Sequence, residues 1–234
     1  LSVSVSNTLA QQPLEETSTQ AEIAMQRAVD HYQAGLLNEA AGLLRGFVVS
    51  HPDSSLLDQA YYYLASIHNE QGDPATALGY LDKIPAENQS PSTTLLQSEL
   101  LLQMGDATRA VDQLLQLETQ SLDLPERQAR YLSLAEGLAI LEEPQKALYF
   151  YQQALLVEGA ETPRDVLAHI YTLLSAHFTE VDLAEAAFMY HNKPVAYLAM
   201  LQLGWRALSA GQKELAQAAQ HQLGVTRGTM RVRL

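Results

Sequence analysis

Histidine is the residue of this chain best suited to metal binding or proton transfer, and the 234 residues include seven of them. His169 and His177 lie eight residues apart, which in an α-helix separates their backbones by about 12 Å. This separation is too large for two ligands of a single zinc ion. The chain also lacks an HExxH motif, a glycine-rich phosphate-binding loop, a nucleophile elbow and a paired-carboxylate motif. The sequence therefore predicts no metal site, no cofactor and no catalytic residue, and the protein is predicted not to be an enzyme.

The amino-acid composition excludes several classes of binding partner and of chemistry. Asp and Glu number 27 against 14 Lys and Arg, so the formal net charge is −13. A field of that sign repels phosphate backbones, and we therefore expect no nucleic-acid partner. The absence of cysteine excludes disulfides, cysteine-ligated zinc and thiol catalysis. No apolar run approaches the ~20 residues that a membrane-spanning helix needs, so no transmembrane segment is predicted in this chain.

An alanine recurs at a nearly constant interval, each time at the predicted start of a helix. The intervals are 37, 33, 37, 37 and 32 residues. A period of this length is typical of helical solenoids, in which each repeat is a pair of antiparallel helices that packs on its neighbours. The alanines are Ala40, Ala77, Ala110, Ala147, Ala184 and Ala216. The pattern predicts an all-α protein of about six helical hairpins, with each alanine near the start of the second helix of a hairpin.

Glycine, aspartate and proline mark the predicted turns between the two helices of a hairpin. The predicted turn glycines are Gly35, Gly72, Gly105 and Gly211. In the fourth hairpin, Glu142 stands where the others have glycine. The fifth hairpin is predicted from Thr162 to about Tyr190, and it has no turn glycine and a short second helix.

The chain is predicted to contain three segments. Residues 1–17 are rich in Ser, Thr, Gln and Asn without a helical period, so we expect a flexible leader. Residues 18–224 hold the helical repeats. Residues 225–234 are predicted to be a linker and the start of a following domain, because Met230–Leu234 alternates apolar and basic residues as a β-strand does and an isolated strand is not stable. Since the first residue is Leu1 rather than Met, we expect a processed or excised product of a longer chain.

The positions that recur in the hairpins resemble the tetratricopeptide repeat. That repeat has a small residue in the first helix, a turn glycine, an alanine early in the second helix and a proline at the exit. The matching residues are Ala28, Gly35, Ala40 and Pro52 in the first unit, Ala65, Gly72 and Ala77 in the second, Ser98, Gly105 and Ala110 in the third, and Gly204, Gly211 and Ala216 in the last. The resemblance implies a right-handed α-α superhelix, a TPR-like solenoid that binds protein partners.

A narrower resemblance depends on the order of the segments. A Ser/Thr/Gln-rich leader, imperfect hairpins, the late segment Ala199–Gly204 and a strand after it are together similar to the amino-terminal half of bacterial lipoproteins that activate penicillin-binding proteins. This resemblance implies a non-catalytic module that binds a penicillin-binding protein and promotes peptidoglycan synthesis. It also implies a periplasmic location with an outer-membrane lipid anchor. The lipidated cysteine of that family is missing here, so the anchor would lie upstream of Leu1.

In tetratricopeptide arrays the first helices line a concave groove, and the resemblance implies which side chains lie there. The residues predicted to bind a partner protein in this groove are Met25, Tyr32, Tyr62, Asn69, Glu99, Glu136 and Trp205. Aromatic side chains beside Glu99 and Glu136 favour a basic or amphipathic peptide segment. The alternative is that the apolar members of the set, including Trp205, pack in the core between repeats.

Two other functions remain compatible with the sequence. One is a cytosolic assembly scaffold, and the other is a sensor whose solenoid encloses a peptide or a small molecule. A chaperone-tail adaptor is disfavoured, because Met25, Val29 and Tyr63 stand where the Lys, Arg and Asn of its carboxylate clamp are expected.

Overall fold

The computed structural model describes residues 12–159 and 165–221. Within these ranges the chain forms twelve α-helices and two short 3-10 helices, without a β-strand. The prediction of an all-α protein built from helical hairpins is confirmed. The chain divides into two compact units, Leu1–Gly105 and Asp106–Leu234. The predicted strand at Met230–Leu234 and the predicted linker before it lie outside the described residues.

In the first unit, each described helix packs against the next one along the chain. These helices are α1 (Gln12–Gln33), α2 (Leu37–Ser50), α3 (Leu57–Glu70), α4 (Pro74–Leu81) and α5 (Pro91–Gln103), with a 3-10 turn at Ala86–Asn88. The first helices of successive hairpins also meet, because α1 contacts α3 and α3 contacts α5. The helix α1 begins at Gln12, inside the segment predicted as a leader.

The second unit continues the series of helices. Its helices are α6 (Ala107–Gln116), α7 (Leu124–Ile140), α8 (Pro144–Leu155), α9 (Val166–His177), α10 (Glu180–Met189), α11 (Pro194–Ser209) and α12 (residues 213–221), with a 3-10 turn at Thr119–Ser121. The helix α7 packs against both α6 and α8, and α11 packs against α10, α9 and α8. In this unit the first helices of hairpins are α7, α9 and α11.

The backbone conformation of the turns confirms their predicted positions. Gly35 has a φ of +73°, in the left-handed region that glycine enters without strain. The amide of Leu36 then donates a 2.9 Å hydrogen bond to the carbonyl oxygen of His31, which is the Schellman arrangement at a helix end. Glu142 adopts the same conformation, with a φ of +59°. The other turn glycines with positive φ are Gly72, Gly105 and Gly211.

Five of the six recurring alanines occupy one structural position. In α2, α4, α6, α8 and α12 the alanine is the fourth residue of the helix and is buried. The sixth, Ala184, also lies near the start of its helix, but it is the fifth residue of α10 and is exposed, and the fully buried Leu183 holds the fourth position. The physical reason is a capping box formed by Thr179 and Asp182, which starts α10 at Glu180. The cap places the buried position of α10 one residue before the alanine.

The connection between α9 and α10 has no turn glycine, and the side chain of Arg206, from α11, bonds to this connection instead. Two residues, Phe178 and Thr179, separate the helices. The guanidinium of Arg206 on α11 donates to the carbonyl oxygens of Phe178 at 2.6 Å and Ser175 at 2.9 Å. The guanidinium therefore satisfies carbonyl groups at the end of α9. In the other hairpins, backbone amides of the glycine turn satisfy the corresponding carbonyl groups. The predicted start of this hairpin at Thr162 lies outside the described residues.

A buried arginine connects α7 to the end of α6. Arg130 is buried, and its Nε donates a 2.8 Å hydrogen bond to the carbonyl oxygen of Leu114. Its Nη1 donates to the hydroxyl of Thr119 at 3.2 Å. Burial lowers the pKa of the guanidinium. These bonds satisfy polar groups that would otherwise be buried without partners, and the sequence pattern did not indicate them.

Candidate functional site

Polar side chains at the ends of α1 and α3 meet on one face of the first unit. The hydroxyl of Tyr32 donates a 2.5 Å hydrogen bond to Oε1 of Glu70. Burial of Tyr32 is the main cause that raises its pKa far above the usual value, and the hydrogen bond and charge of Glu70 raise it further. The phenol therefore stays neutral at physiological pH and connects the two helices.

Asn69 makes a similar connection one repeat later. Its Nδ2 donates to Oε1 of Glu99 at 3.0 Å, and its Oδ1 accepts from Nε2 of Gln103 at 2.9 Å. Tyr32 and Asn69 are each the next-to-last residue of a first helix, and Glu70 and Gln103 are each the last residue of the following first helix. The same contact thus occurs in two successive repeats. In each, a predicted site residue (Tyr32 or Asn69) bonds to the last residue of the first helix of the following repeat. Glu70 and Gln103 were not predicted from the sequence.

Tyrosine rings lie beside these polar groups. The ring of Tyr63 meets that of Tyr32 edge to face, with centroids 5.4 Å apart, and that of Tyr62 at 5.9 Å. All three rings are half-buried. We use the name first-helix face for this surface, which consists of Tyr32, Tyr62, Tyr63, Asn69, Glu70, Glu99 and Gln103. The structure therefore brings four of the predicted groove residues onto a single surface, and the binding role itself stays a prediction.

The first-helix face is acidic. None of its seven residues is Lys or Arg, and α1, α3 and α5 together contain seven Asp and Glu against one Arg. The Lys83 ammonium of the same unit lies over the rings of Tyr80 and Tyr61, 4.8 and 5.3 Å from their centroids. The Lys83 ammonium therefore makes cation–π contacts with both rings. A cationic side chain of a partner would meet carboxylates on this face.

Met25 does not belong to this surface. Its side chain is 3% exposed and packs in the core of the first unit with Ala28 and Leu44. Met25 lies two helical turns before Tyr32 on nearly the same side of α1, but it is covered by neighbouring helices. The prediction that Met25 contacts a partner in the groove is therefore corrected.

In the second unit, Glu136 and His169 line an open cleft that α7, α8 and α9 form. The cleft has a volume of about 390 Å³, and its apolar wall includes Ile140 and Leu173. Oε1 of Glu136 lies 3.9 Å from Nδ1 of His169, close enough for an ion pair when the imidazole is protonated. Tyr151 is buried at the cleft, where burial and then the charge of Glu136 raise its pKa. The cleft therefore combines a carboxylate with an apolar wall, and the predicted role of Glu136 in partner binding stays a prediction.

His177 lines the same cleft, two helical turns after His169. Among the described residues, no group of three His, Cys, Asp or Glu side chains is arranged to hold a metal ion. No helix in the described ranges has the length and apolar character needed to cross a membrane.

Trp205 lies in a second open cleft, of about 600 Å³, between α11 and α12. Its side chain is 58% exposed, so the alternative that Trp205 is a core residue is wrong. Leu201 and Leu208 lie beside it. Gly204 allows α12 to approach closely, since a Cβ at this position would lie 3.4 Å from Cβ of Ala219. The indole is therefore available to a partner.

Comparison with known proteins identifies the fold. No protein-family model and no curated protein matches the chain. A structure from the functional characterization of Pseudomonas aeruginosa pilF has a TM-score of 0.58 at 17% identity, over 93% of this chain and 100% of that one. A tetratricopeptide repeat protein from Parabacteroides merdae has a TM-score of 0.58 at 15% identity, with coverages of 92% and 87%. The APC/C hetero-tetramer Cut9-Hcn1 gives 0.55 at 16% identity, with coverages of 85% and 38%.

At these identities the likeness concerns the fold alone. The predicted TPR-like fold is confirmed, and folds of this kind generally bind proteins and perform no catalysis.

Proposed function

We propose that this protein is a non-catalytic protein-binding module whose first-helix face holds a basic segment of its partner. The observation that carries the proposal is that Glu70, bonded to Tyr32, and Glu99, bonded to Asn69, share with half-buried tyrosine rings a face whose residues include no Lys or Arg. The hydrogen bonds from Tyr32 and Asn69 are accepted by Oε1 of each carboxylate. A carboxylate has about four acceptor sites, so each can also accept from an arginine or lysine. Such a cation gains further from the neighbouring ring faces.

Within this class, we propose that the partner is a penicillin-binding protein and that the chain is the helical part of an activating lipoprotein. The sequence features that support this are the Ser/Thr/Gln-rich leader, the array of hairpins and the alternating segment Met230–Leu234. The location would be the periplasm, with an outer-membrane anchor attached upstream. A cytosolic assembly scaffold and a peptide or small-molecule sensor are the alternatives.

The test is capture of penicillin-labelled proteins by the immobilised 234-residue chain. An envelope extract is treated with a fluorescent penicillin, which marks penicillin-binding proteins covalently, and the bound fraction is separated on a gel. The test variant combines Glu70→Lys with Glu99→Lys. The matched control combines Glu39→Lys with Glu87→Lys, which makes the same charge change at exposed positions outside the first helices.

We expect the unchanged chain and the control to capture a labelled band. The Glu70/Glu99 variant is expected to capture at least about tenfold less labelled protein. Absence of a labelled band would reject the penicillin-binding-protein partner. Equal capture by the test variant would reject the first-helix face as the binding surface.

A further inference from the structure

The helix α10 presents apolar side chains to solvent on the side opposite its core contacts. Phe188 is 83% exposed and Val181 is 75% exposed, and Ala184 between them is exposed as well. The core side of the helix consists of Leu183, Ala186 and Ala187. Since α10 uses that opposite side to pack in its unit, no described element covers Phe188 and Val181.

The spacing of these side chains is that of a helix-pairing seam. Val181, Ala184 and Phe188 are three and four residues apart, as are the a and d positions of a coiled coil. Glu180 and Glu185 then occupy the flanking g and e positions. We call these five residues the α10 seam.

A single exposed apolar residue needs no explanation, and the first unit provides an example. Val49 on α2 is 82% exposed. The residues three, four and seven positions before it are Gly46, Arg45 and Gly42, so no apolar row forms. Isolated exposure of this kind is ordinary, whereas aligned exposed apolar residues mark interaction sites.

The charge of α10 indicates what its seam would bind. The helix contains Glu180, Asp182 and Glu185 and no Lys or Arg. Hydrogen bonds from Thr179 lower the pKa of Asp182, so this carboxyl is ionised at neutral pH. An anionic lipid surface or a second copy of α10 would be repelled by these carboxylates.

We propose that the α10 seam is a docking site for an amphipathic helix of a partner protein, with apolar residues along its contact side and Lys or Arg on both flanks. The partner's apolar residues would cover Phe188 and Val181, and its cations would meet Glu180 and Glu185. This site is separate from the first-helix face, so either can exist without the other. The seam spans two helical turns, about 10 Å, which fits a short helix.

The probe is a fluorescein-labelled 21-residue peptide of three heptads with Leu at a and d and Lys at e and g. A second peptide carries Glu at e and g. Fluorescence anisotropy with the whole 234-residue chain gives the affinity at low and high salt. The variants are Phe188→Ser, the double change Glu180→Lys with Glu185→Lys, and the control Val49→Ser, with circular dichroism to verify that each is folded.

We expect saturable binding of the Lys peptide that weakens with salt. Phe188→Ser is expected to lower the affinity at least about tenfold, and Val49→Ser to leave it unchanged. The double Lys variant is expected to bind the Glu peptide instead. The combined Glu70→Lys and Glu99→Lys change, which affects the first-helix face, is expected to leave the Phe188-dependent part of this binding unchanged.

Three results would overturn the proposal. The first is no saturable binding, or binding that Phe188→Ser leaves intact. The second is a dimer in sedimentation velocity that Phe188→Ser abolishes, because the occupant would then be a second copy. The third is Phe188-dependent pelleting with phosphatidylglycerol vesicles, because the occupant would then be a lipid surface.

Discussion

Glu142 and Gly35 have the same left-handed backbone conformation, with φ of +59° and +73°. Each lies between the two helices of a hairpin, two residues after the last residue of the first helix. Glycine adopts this conformation without cost, whereas the Cβ of any other L-residue meets the following carbonyl. The fourth hairpin therefore forms the same turn with a strained residue.

We expect Glu142→Gly to raise the free energy of unfolding by about 1 kcal/mol, because it removes that strain. Asn192 also has a positive φ, of +63°, but asparagine tolerates this region better, so Asn192→Gly is expected to gain less. Urea unfolding followed by circular dichroism measures both. A loss of stability in Glu142→Gly would show that the glutamate side chain contributes more than its backbone costs.

The sequence predicted the turns well because their geometry depends on a few adjacent residues. The alanine interval did not indicate which residue of α10 is buried, whereas Thr179 and Asp182 form the local pattern of a capping box. The interval between repeats indicates only roughly which residue of a helix faces the core. The cap determines the register of the individual helix, and it was the more reliable guide at Leu183.

The candidate site was predictable only in part. Helical spacing selected Tyr32 and Asn69, which lie on one surface, but it also selected the buried Met25. Spacing on one helix does not reveal which part of a stripe the neighbouring helices cover. The partners Glu70 and Gln103 lie 38 and 34 residues from Tyr32 and Asn69, so they required knowledge of how repeats stack.

The buried arginine of the second unit should be essential for its stability. Arg130→Met keeps the apolar length of the side chain but leaves the carbonyl oxygen of Leu114 without its donor. We expect a loss of about 2–3 kcal/mol in the free energy of unfolding. The control is Arg109→Met, which removes an exposed ion pair with Asp106 and is expected to cost about 0–0.5 kcal/mol. Equal effects of the two changes in urea unfolding would contradict the prediction.

Alkaline pH is expected to destabilise the protein through its buried phenols. Burial raises the pKa of Tyr151, and the charge of Glu136 raises it further, so the folded state favours the neutral form. The unfolded pKa of tyrosine is about 10, so this contribution is complete below pH 10 and is lost as the pH rises further. Tyr151→Phe should reduce the loss of unfolding free energy between pH 9 and 11. Tyr171→Phe, at an exposed position, is the control and should leave that loss unchanged.

Leu183 and Ala184 are neighbours in α10, but only one of them is buried. Leu183 is fully buried, so Leu183→Ala removes core contacts and leaves a cavity. We expect it to lower the free energy of unfolding by about 2–5 kcal/mol. Ala184 is exposed, so Ala184→Ser is expected to change stability by less than about 0.5 kcal/mol. Thermal and urea unfolding of both variants would decide between the registers, because a core position at 184 requires Ala184→Ser to be the more damaging change.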